Sequence, residues 1–315
     1  MARVAAIDIG TNSVLLLAAE QTAQGPAVLA DRAVVTRLGE GVDRTRQLSA
    51  EGRQRTLECL TAYAGELREL GVQSVAVVGT SALRDTTDAG AFCTEVRALL
   101  GWEPLVLGGE EEARLSFEGA LSGLALEGPV ALCDPGGGST ELVYGSVAGG
   151  VAVIDAVYSA ELGAVRLHER HVRHDPPTPS ELGELGRAVR ATLGTLPPPP
   201  TRVTWVCVGG TITTLSAIEL ELVRYQGARV HGMRLGAARI HDLAARLARL
   251  PIDARREITG LDPARADVIV AGALLLCELV NWASTSELVV SDRGVRWGLV
   301  QRLLRTRGLF PPTIR

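Results

Sequence analysis

The chain contains no lysine: all 32 of its basic residues are arginine. That absence excludes a Walker-type phosphate loop, which needs its lysine, and any enzyme working through a Schiff base. Arginine still binds phosphate, through a fork of directed donors rather than a point charge. Aromatic residues are scarce at 3%, so the core has to be built from Leu, Val, Ile and Ala. Long apolar runs are missing too. The stretch from Val268 to Leu276 is too short for a bilayer and is flanked by Asp267 and Glu278, so no membrane partner is expected. A broad positive field is also lacking, since the net charge is −4, and this argues against nucleic acid as a partner. The five cysteines show no paired spacing and lie mostly in apolar stretches, as buried thiols of a reducing cytosol do. With no secretory leader before the first strand, a cytoplasmic location is expected.

What is present is an ordinary globular composition, 46% apolar and 22% charged over 315 residues, enough for two domains. One glycine-rich sentence occurs twice. Val4-Ala5-Ala6-Ile7-Asp8-Ile9-Gly10-Thr11-Asn12-Ser13 is matched by Val130-Ala131-Leu132-Cys133-Asp134-Pro135-Gly136-Gly137-Gly138-Ser139. Each is an apolar run, an aspartate and a glycine turn closed by serine, after which apolar residues resume. This is the pattern of a β-hairpin whose tip offers backbone N–H groups to an anion, with a carboxylate at the strand end for a cation.

The surrounding pattern repeats with it. Strands are predicted at 3–9, 13–19 and 26–36, then a helix at 49–70 capped by Ser49, a buried strand at 74–78, a helix at 87–100, a short strand at 105–107 and a helix at 110–123. Strands at 129–134, 140–147 and 151–158 restart the series. They precede a helix at 179–195 opened by Ser180, a proline-rich connector and a strand at 204–208. Helices at 212–223, 236–249, 262–282 and 295–307 follow, with a strand at 288–290. The order indicates a duplicated α/β fold. Domain I is expected at 1–124, completed by a helix returning at 295–315, and domain II at 125–294. A cleft between them implies hinge closure on a ligand.

Hydrolysis of a phosphoanhydride needs donors and arginine on the phosphoryl oxygens, a divalent metal, and a base for in-line water. The tips supply Gly10, Thr11, Asn12 and Ser13, and Gly136, Gly137, Gly138 and Ser139. Asp8 and Asp134 are hard oxygen ligands suited to Mg2+, and Glu141 follows Asp134 on the outgoing strand of the same hairpin. Gly108-Gly109-Glu110-Glu111-Glu112-Ala113-Arg114 places carboxylates after a strand, the usual address of ligand sites in α/β sheets. Arg84, in Gly79-Thr80-Ser81-Ala82-Leu83-Arg84-Asp85, is a candidate clamp for a terminal phosphate. His168, His171 and His174 are read as a solvated helix end rather than a metal site.

Taken together, the motifs at Asp8–Ser13, Thr80–Arg84, Gly109–Arg114 and Asp134–Leu142 resemble the exopolyphosphatase/guanosine pentaphosphate phosphatase family. The resemblance continues through Leu162–Leu167, Gly209-Gly210-Thr211, Gly260-Leu261 and Ser291–Arg296, and so covers nearly the whole chain in order. It implies the duplicated ribonuclease H-like fold of the actin, sugar-kinase and Hsp70 ATPase superfold, with two domains and an interdomain cleft. It implies an exopolyphosphatase, or alternatively a guanosine pentaphosphate 5′-phosphatase, using Mg2+ or Mn2+. By position Glu112 matches the family's general base, with Glu111 as the fallback, and Arg84 matches its phosphate-binding arginine. Asp8, Asp134 and Glu141 match acidic residues near the metal, and Gly137, Gly138 and Ser139 the second phosphate loop. A homodimer is compatible with the resemblance.

Two departures stand out: Pro135 replaces the usual isoleucine and removes a backbone donor, and the chain resembles the short members that lack further C-terminal helical domains. The motifs do not separate polyphosphate from guanosine pentaphosphate, and do not give chain-length preference or a role for Gly209-Gly210-Thr211. A kinase of the same superfold and a non-catalytic alarmone or polyphosphate sensor are the alternatives of other classes.

Overall fold

A computed structural model describes residues 2–23 and 25–306. The chain divides into two compact units, Met1–Gly119 with Val295–Arg315, and Ala120–Gly294. Residues 120–124, expected in the first domain, group with the second unit. For the helix expected to return at 295–315, the part beyond residue 306 lies outside the described residues.

In unit one, β1 (Arg3–Ile9), β2 (Ser13–Thr22) and β3 (Gly25–Val35) form the meander. A turn of helix, α1 (Val42–Thr45), precedes α2 (Ala50–Glu69), β4 (Ser74–Gly79) and a second short turn, α3 (Ser81–Arg84). After these come α4 (Ala89–Leu100), β5 (Pro104–Val106) and α5 (Gly109–Leu121). The sheet order is β3-β2-β1-β4-β5, with the meander antiparallel and β1, β4 and β5 parallel. Side chains of β1 alternate between faces. Ala5, Ile7 and Ile9 pack with residues of α2 and α4, such as Leu60 and Phe92. Val4 and Ala6 pack on the other face with Leu115 of α5 and with Val295, Leu299 and Leu303.

Unit two restarts with β6 (Gly128–Pro135), β7 (Thr140–Ala148) and β8 (Val151–Ala160). Two helices, α6 (Ala164–His171) and α7 (Pro179–Leu193), lead to β9 (Thr204–Cys207) and α8 (Gly210–Glu219). Then come α9 (Gly227–Val230), β10 (Arg234–Gly236), α10 (Ala237–Ala248) and α11 (Ile252–Arg256). A 3-10 turn at Pro263–Arg265 precedes α12 (Ile269–Trp282) and β11 (Glu287–Val290), and α13 (Val295–Arg305) rejoins unit one.

The second sheet runs β10-β11-β9-β6-β7-β8. Read from the meander, β8-β7-β6-β9-β11 repeats β3-β2-β1-β4-β5, with the same parallel and antiparallel neighbours. This is the ribonuclease H-like order, present twice. The copies agree in finer detail as well. In both, the second strand shifts register against the third five residues past the closing serine, after Ala18 and after Tyr144.

Where prediction and structure differ, local chemistry explains it. The α7 helix is capped by Thr178 rather than Ser180: Pro179 fixes the first helical position, and Thr178 and Glu181 form a reciprocal capping box. The helix expected from 262 splits because Asp262 caps the 3-10 turn that Pro263 opens. All five cysteines are buried free thiols. Burial pushes the Cys207 thiol well up, which keeps it unreactive.

Candidate functional site

In unit one, three loops leave the same sheet edge. Ile9, Gly79 and Val106 are in register at the carboxyl ends of three parallel strands, the usual place for ligands in such sheets. The first tip, Gly10 to Asn12, is closed by the Gly10 amide donating to Ser13 O at 3.0 Å. Two of its carbonyls are engaged from behind: Thr11 O accepts from Gly39 N at 2.8 Å, and Asn12 O from Thr36 N at 3.0 Å and Arg37 N at 2.9 Å. Asp8 is a buried residue on the α5/α13 side of β1.

The three consecutive glutamates at the start of α5 have three destinations. Successive helical positions are rotated by about 100°, so the sequence run cannot act as one cluster. Glu110 is solvent-facing and pairs with Arg114 at 2.7 Å. Glu111 pairs with Arg302 of α13. Glu112, buried, pairs with Arg84, whose Nη1 also donates to Leu107 O at 2.9 Å. The two residues expected to be base and phosphate clamp are therefore brought together, and Glu111 is committed elsewhere.

Arg302 holds Glu118 as well, one turn pair along α5, at 2.9 and 3.2 Å, and Arg305 adds a bond at 3.1 Å. The helices touch closely nearby: a Cβ on Gly298 would meet the Leu115 backbone. Burial alone would push the Glu118 carboxyl up, but the bonds and charges of Arg302 and Arg305 outweigh it and hold it below the usual glutamate range. A depressed carboxylate contributes stability that is full above its unfolded pKa and is lost as pH falls through the lower folded value. Acid should therefore loosen this clasp. The melting temperature of Glu118→Gln should fall less steeply than wild type from roughly pH 5 to pH 3; identical slopes would contradict that role.

In unit two the second tip closes the same way, Gly136 N donating to Ser139 O at 2.9 Å. Gly136 was expected to offer its amide to phosphate, and that hydrogen is spent inside the turn. The supporting contacts come from α6, of which the sequence announced only the solvated end at His168 and His171. Gly136 O accepts from Ala164 N at 2.9 Å, and Gly137 O from Val165 N at 2.9 Å and Arg166 N at 3.2 Å. Gly138 O accepts from Arg166 Nε at 2.7 Å. A trans peptide points its C=O and N–H in opposite directions, so carbonyls held from behind turn the amides outward. No acceptor among the described residues takes the amide hydrogens of Thr11, Asn12, Gly137 or Gly138. Each tip is thus a preformed set of donors for an anion.

Asp134 and Glu141 are register partners across the hairpin, so their side chains leave one face. Glu141 is fully buried, and its Oε1 accepts from Ser139 Oγ at 2.8 Å and Ser159 Oγ at 3.0 Å. Pro135 lies opposite Thr140 at the strand end. Gly209, at φ 98, comes within 3.2 Å of Asp134 Oδ1 where a Cβ would stand. Only glycine takes both that conformation and that closeness without cost. The face of Gly210 is filled by the half-buried guanidinium of Arg265, whose pKa desolvation lowers. Among the described residues no group of three or more His, Cys, Asp or Glu side chains gathers around one point as a metal site. His168 and His171 lie in the last turn of α6, and His174 pairs with Glu181 at 3.0 Å.

Residues 17–307 match the Ppx/GppA phosphatase family, and the chain belongs to that family. It is 37% identical over 320 residues to exopolyphosphatase 2 of Mycobacterium tuberculosis, covering 96% of this chain and 99% of that one. The crystal structure of the Aquifex aeolicus member of the Ppx/GppA family superimposes with a TM-score of 0.81 at 31% identity, over 98% of this chain and 99% of that one. An exopolyphosphatase structure from Cytophaga hutchinsonii shares the fold, with a TM-score of 0.86 at 24% identity over 96% and 98% of the two chains. Among the described residues no helix is long and apolar enough to cross a membrane.

Proposed function

We propose that this phosphatase is a cytoplasmic exopolyphosphatase that removes the terminal phosphate of inorganic polyphosphate. The observation that carries the reading is the Arg84–Glu112 pair at the sheet edge that also bears a preformed anion-binding tip. A polyanion of repeating phosphates suits donors supplied as two separate backbone nests, and the absence of lysine leaves backbone, arginine and metal to neutralise it.

In the resting pair, Arg84 neutralises Glu112. A terminal phosphoryl group competes for the guanidinium, which releases the carboxylate to accept a proton from water. The water oxygen forms the new bond to the terminal phosphorus. The bond from that phosphorus to the bridging oxygen breaks, and the shortened chain departs with the electron pair. Thr11, Asn12, Gly137 and Gly138 amides bind phosphoryl oxygens, with Ser13 and Ser139 closing the two tips. Asp134 and Glu141, sharing a face, fit magnesium, which keeps several waters and takes one or two carboxylates plus phosphate oxygens. Asp8 holds the matching place on β1 of unit one. The ion, when bound, neutralises charge on the phosphoryl oxygens, and manganese is its natural substitute.

Phosphate release should be measured with short polyphosphate, long polyphosphate, guanosine pentaphosphate, and ATP with glucose. The expected result is Mg2+-dependent release from polyphosphate. Release from guanosine pentaphosphate alone would transfer the assignment to the 5′-phosphatase, and sugar-dependent ATP consumption to a kinase.

A further inference from the structure

Arg166 is buried at 5% exposure, and its contact with the exposed carboxylate of Glu161, at 3.9 Å, is long. Such a pair contributes little, and burying a guanidinium is expensive unless its donors are used. A short bond of 2.7 Å runs from Nε to Gly138 O. The neighbouring carbonyls of the second tip are held by backbone amides of α6, those of Ala164, Val165 and Arg166. The helix supplies no backbone amide for the third. A side chain reaches back instead, and it belongs to the same residue whose own amide holds Gly137 O.

The only cis peptide among the described residues is Asp175–Pro176, so the Gly138–Ser139 peptide is trans. Fixing Gly138 O therefore fixes the direction of the Ser139 N–H on the other side. We infer that Arg166 is a positioning residue for substrate: its guanidinium holds the Gly138–Ser139 peptide so that the second tip presents phosphate donors in a fixed orientation. It also brings a full positive charge behind that tip. Glycine has the most backbone freedom of any residue, so a three-glycine loop needs such an external restraint. This inference rests on the proposal that the tip binds the phosphates of the substrate.

The test compares wild type with Arg166→Met and Arg166→Lys. Steady-state kinetics on polyphosphate are combined with calorimetric titration of non-turning-over protein, without metal, by tripolyphosphate. Arg166→Met should raise KM and the tripolyphosphate Kd together by about tenfold, with kcat changed less, as loss of one charge-assisted restraint implies. Arg166→Lys, which keeps a charged donor toward Gly138 O, should recover most of the affinity. Unchanged Kd in Arg166→Met, or no recovery in Arg166→Lys while both melt like wild type, would overturn the inference. If Arg166→Met does not fold, Arg166→Lys decides: a rise in Kd beyond about tenfold with normal melting would deny that one charged donor suffices. Should wild type bind tripolyphosphate but hydrolyse no polyphosphate, the functional reading fails, while the Kd comparison still judges Arg166.

Discussion

Glu112→Gln should reduce phosphate release by about 100- to 10,000-fold, the range spanned by loss of a general base, while tripolyphosphate binding stays within about threefold of wild type. The amide keeps the shape of the carboxylate and still accepts a bond from Arg84, so α5 has no reason to move. What is removed is the carboxylate charge and with it the capacity to accept a proton. The adjacent Glu111→Gln serves as the contrast. It breaks the pair with Arg302 on α13 and should cost melting temperature more than turnover. If Glu112→Gln kept a tenth or more of the activity, or Glu111→Gln were the more damaging for kcat, the base assignment would fail.

Gly163→Ala should be nearly as damaging, and by another route. Gly163 stands against the peptide of Gly137 and Gly138 so closely that an added Cβ would overlap the carbonyl carbon and oxygen of Gly137 and the Gly138 nitrogen. Backbone cannot swing aside as a side chain can. The methyl must therefore push the second tip off α6 or pull α6 off the tip. Either way the bonds to Gly136 O and Gly137 O lengthen and the outward amides lose their fixed direction. Removal of one preorganised donor commonly costs 100- to 1,000-fold in kcat, and a shifted tip affects several at once. A fall in kcat/KM of about 100-fold or more is expected, with unit one unaffected. Near-normal kinetics would show that the loop tolerates displacement and is not the phosphate grip.

The legible parts of this molecule were those with short-range grammar. The two hairpin tips announce themselves by glycine and serine at fixed offsets, and Ser49 caps α2 as its position suggested, accepting from Gly52 N at 3.1 Å. The separation of Glu111 from Glu112 was not legible. Three identical residues carry no label for which faces α13, and the partner Arg302 is 191 positions away. The α6 helix was obscured because only its first turn is buried, while its last turn is basic and half exposed. Arg166 was invisible for a related reason: its partner is a backbone carbonyl, and every residue type has one. The capping of α7 could have been read from Thr178-Pro179 and Glu181, had proline at the first helical position been given more weight than Ser180.

The position of α13 in the gene has its own consequence. Val295, Leu299, Val300 and Leu303 cover one face of the first sheet, against Val4, Ala6, Val78 and Leu115, yet the ribosome makes all of residues 120–294 before them. Translation runs at about 5–20 residues per second. For many seconds the nascent first half therefore carries a bare hydrophobic sheet face and an α5 without its arginine clasp, while the second half, contiguous in sequence, is free to fold. Ribosomes stalled before codon 295 would hold a chain whose Glu112 helix lacks its apolar and arginine contacts with α13. The first unit of this phosphatase is thus unfinished until α13 has been translated.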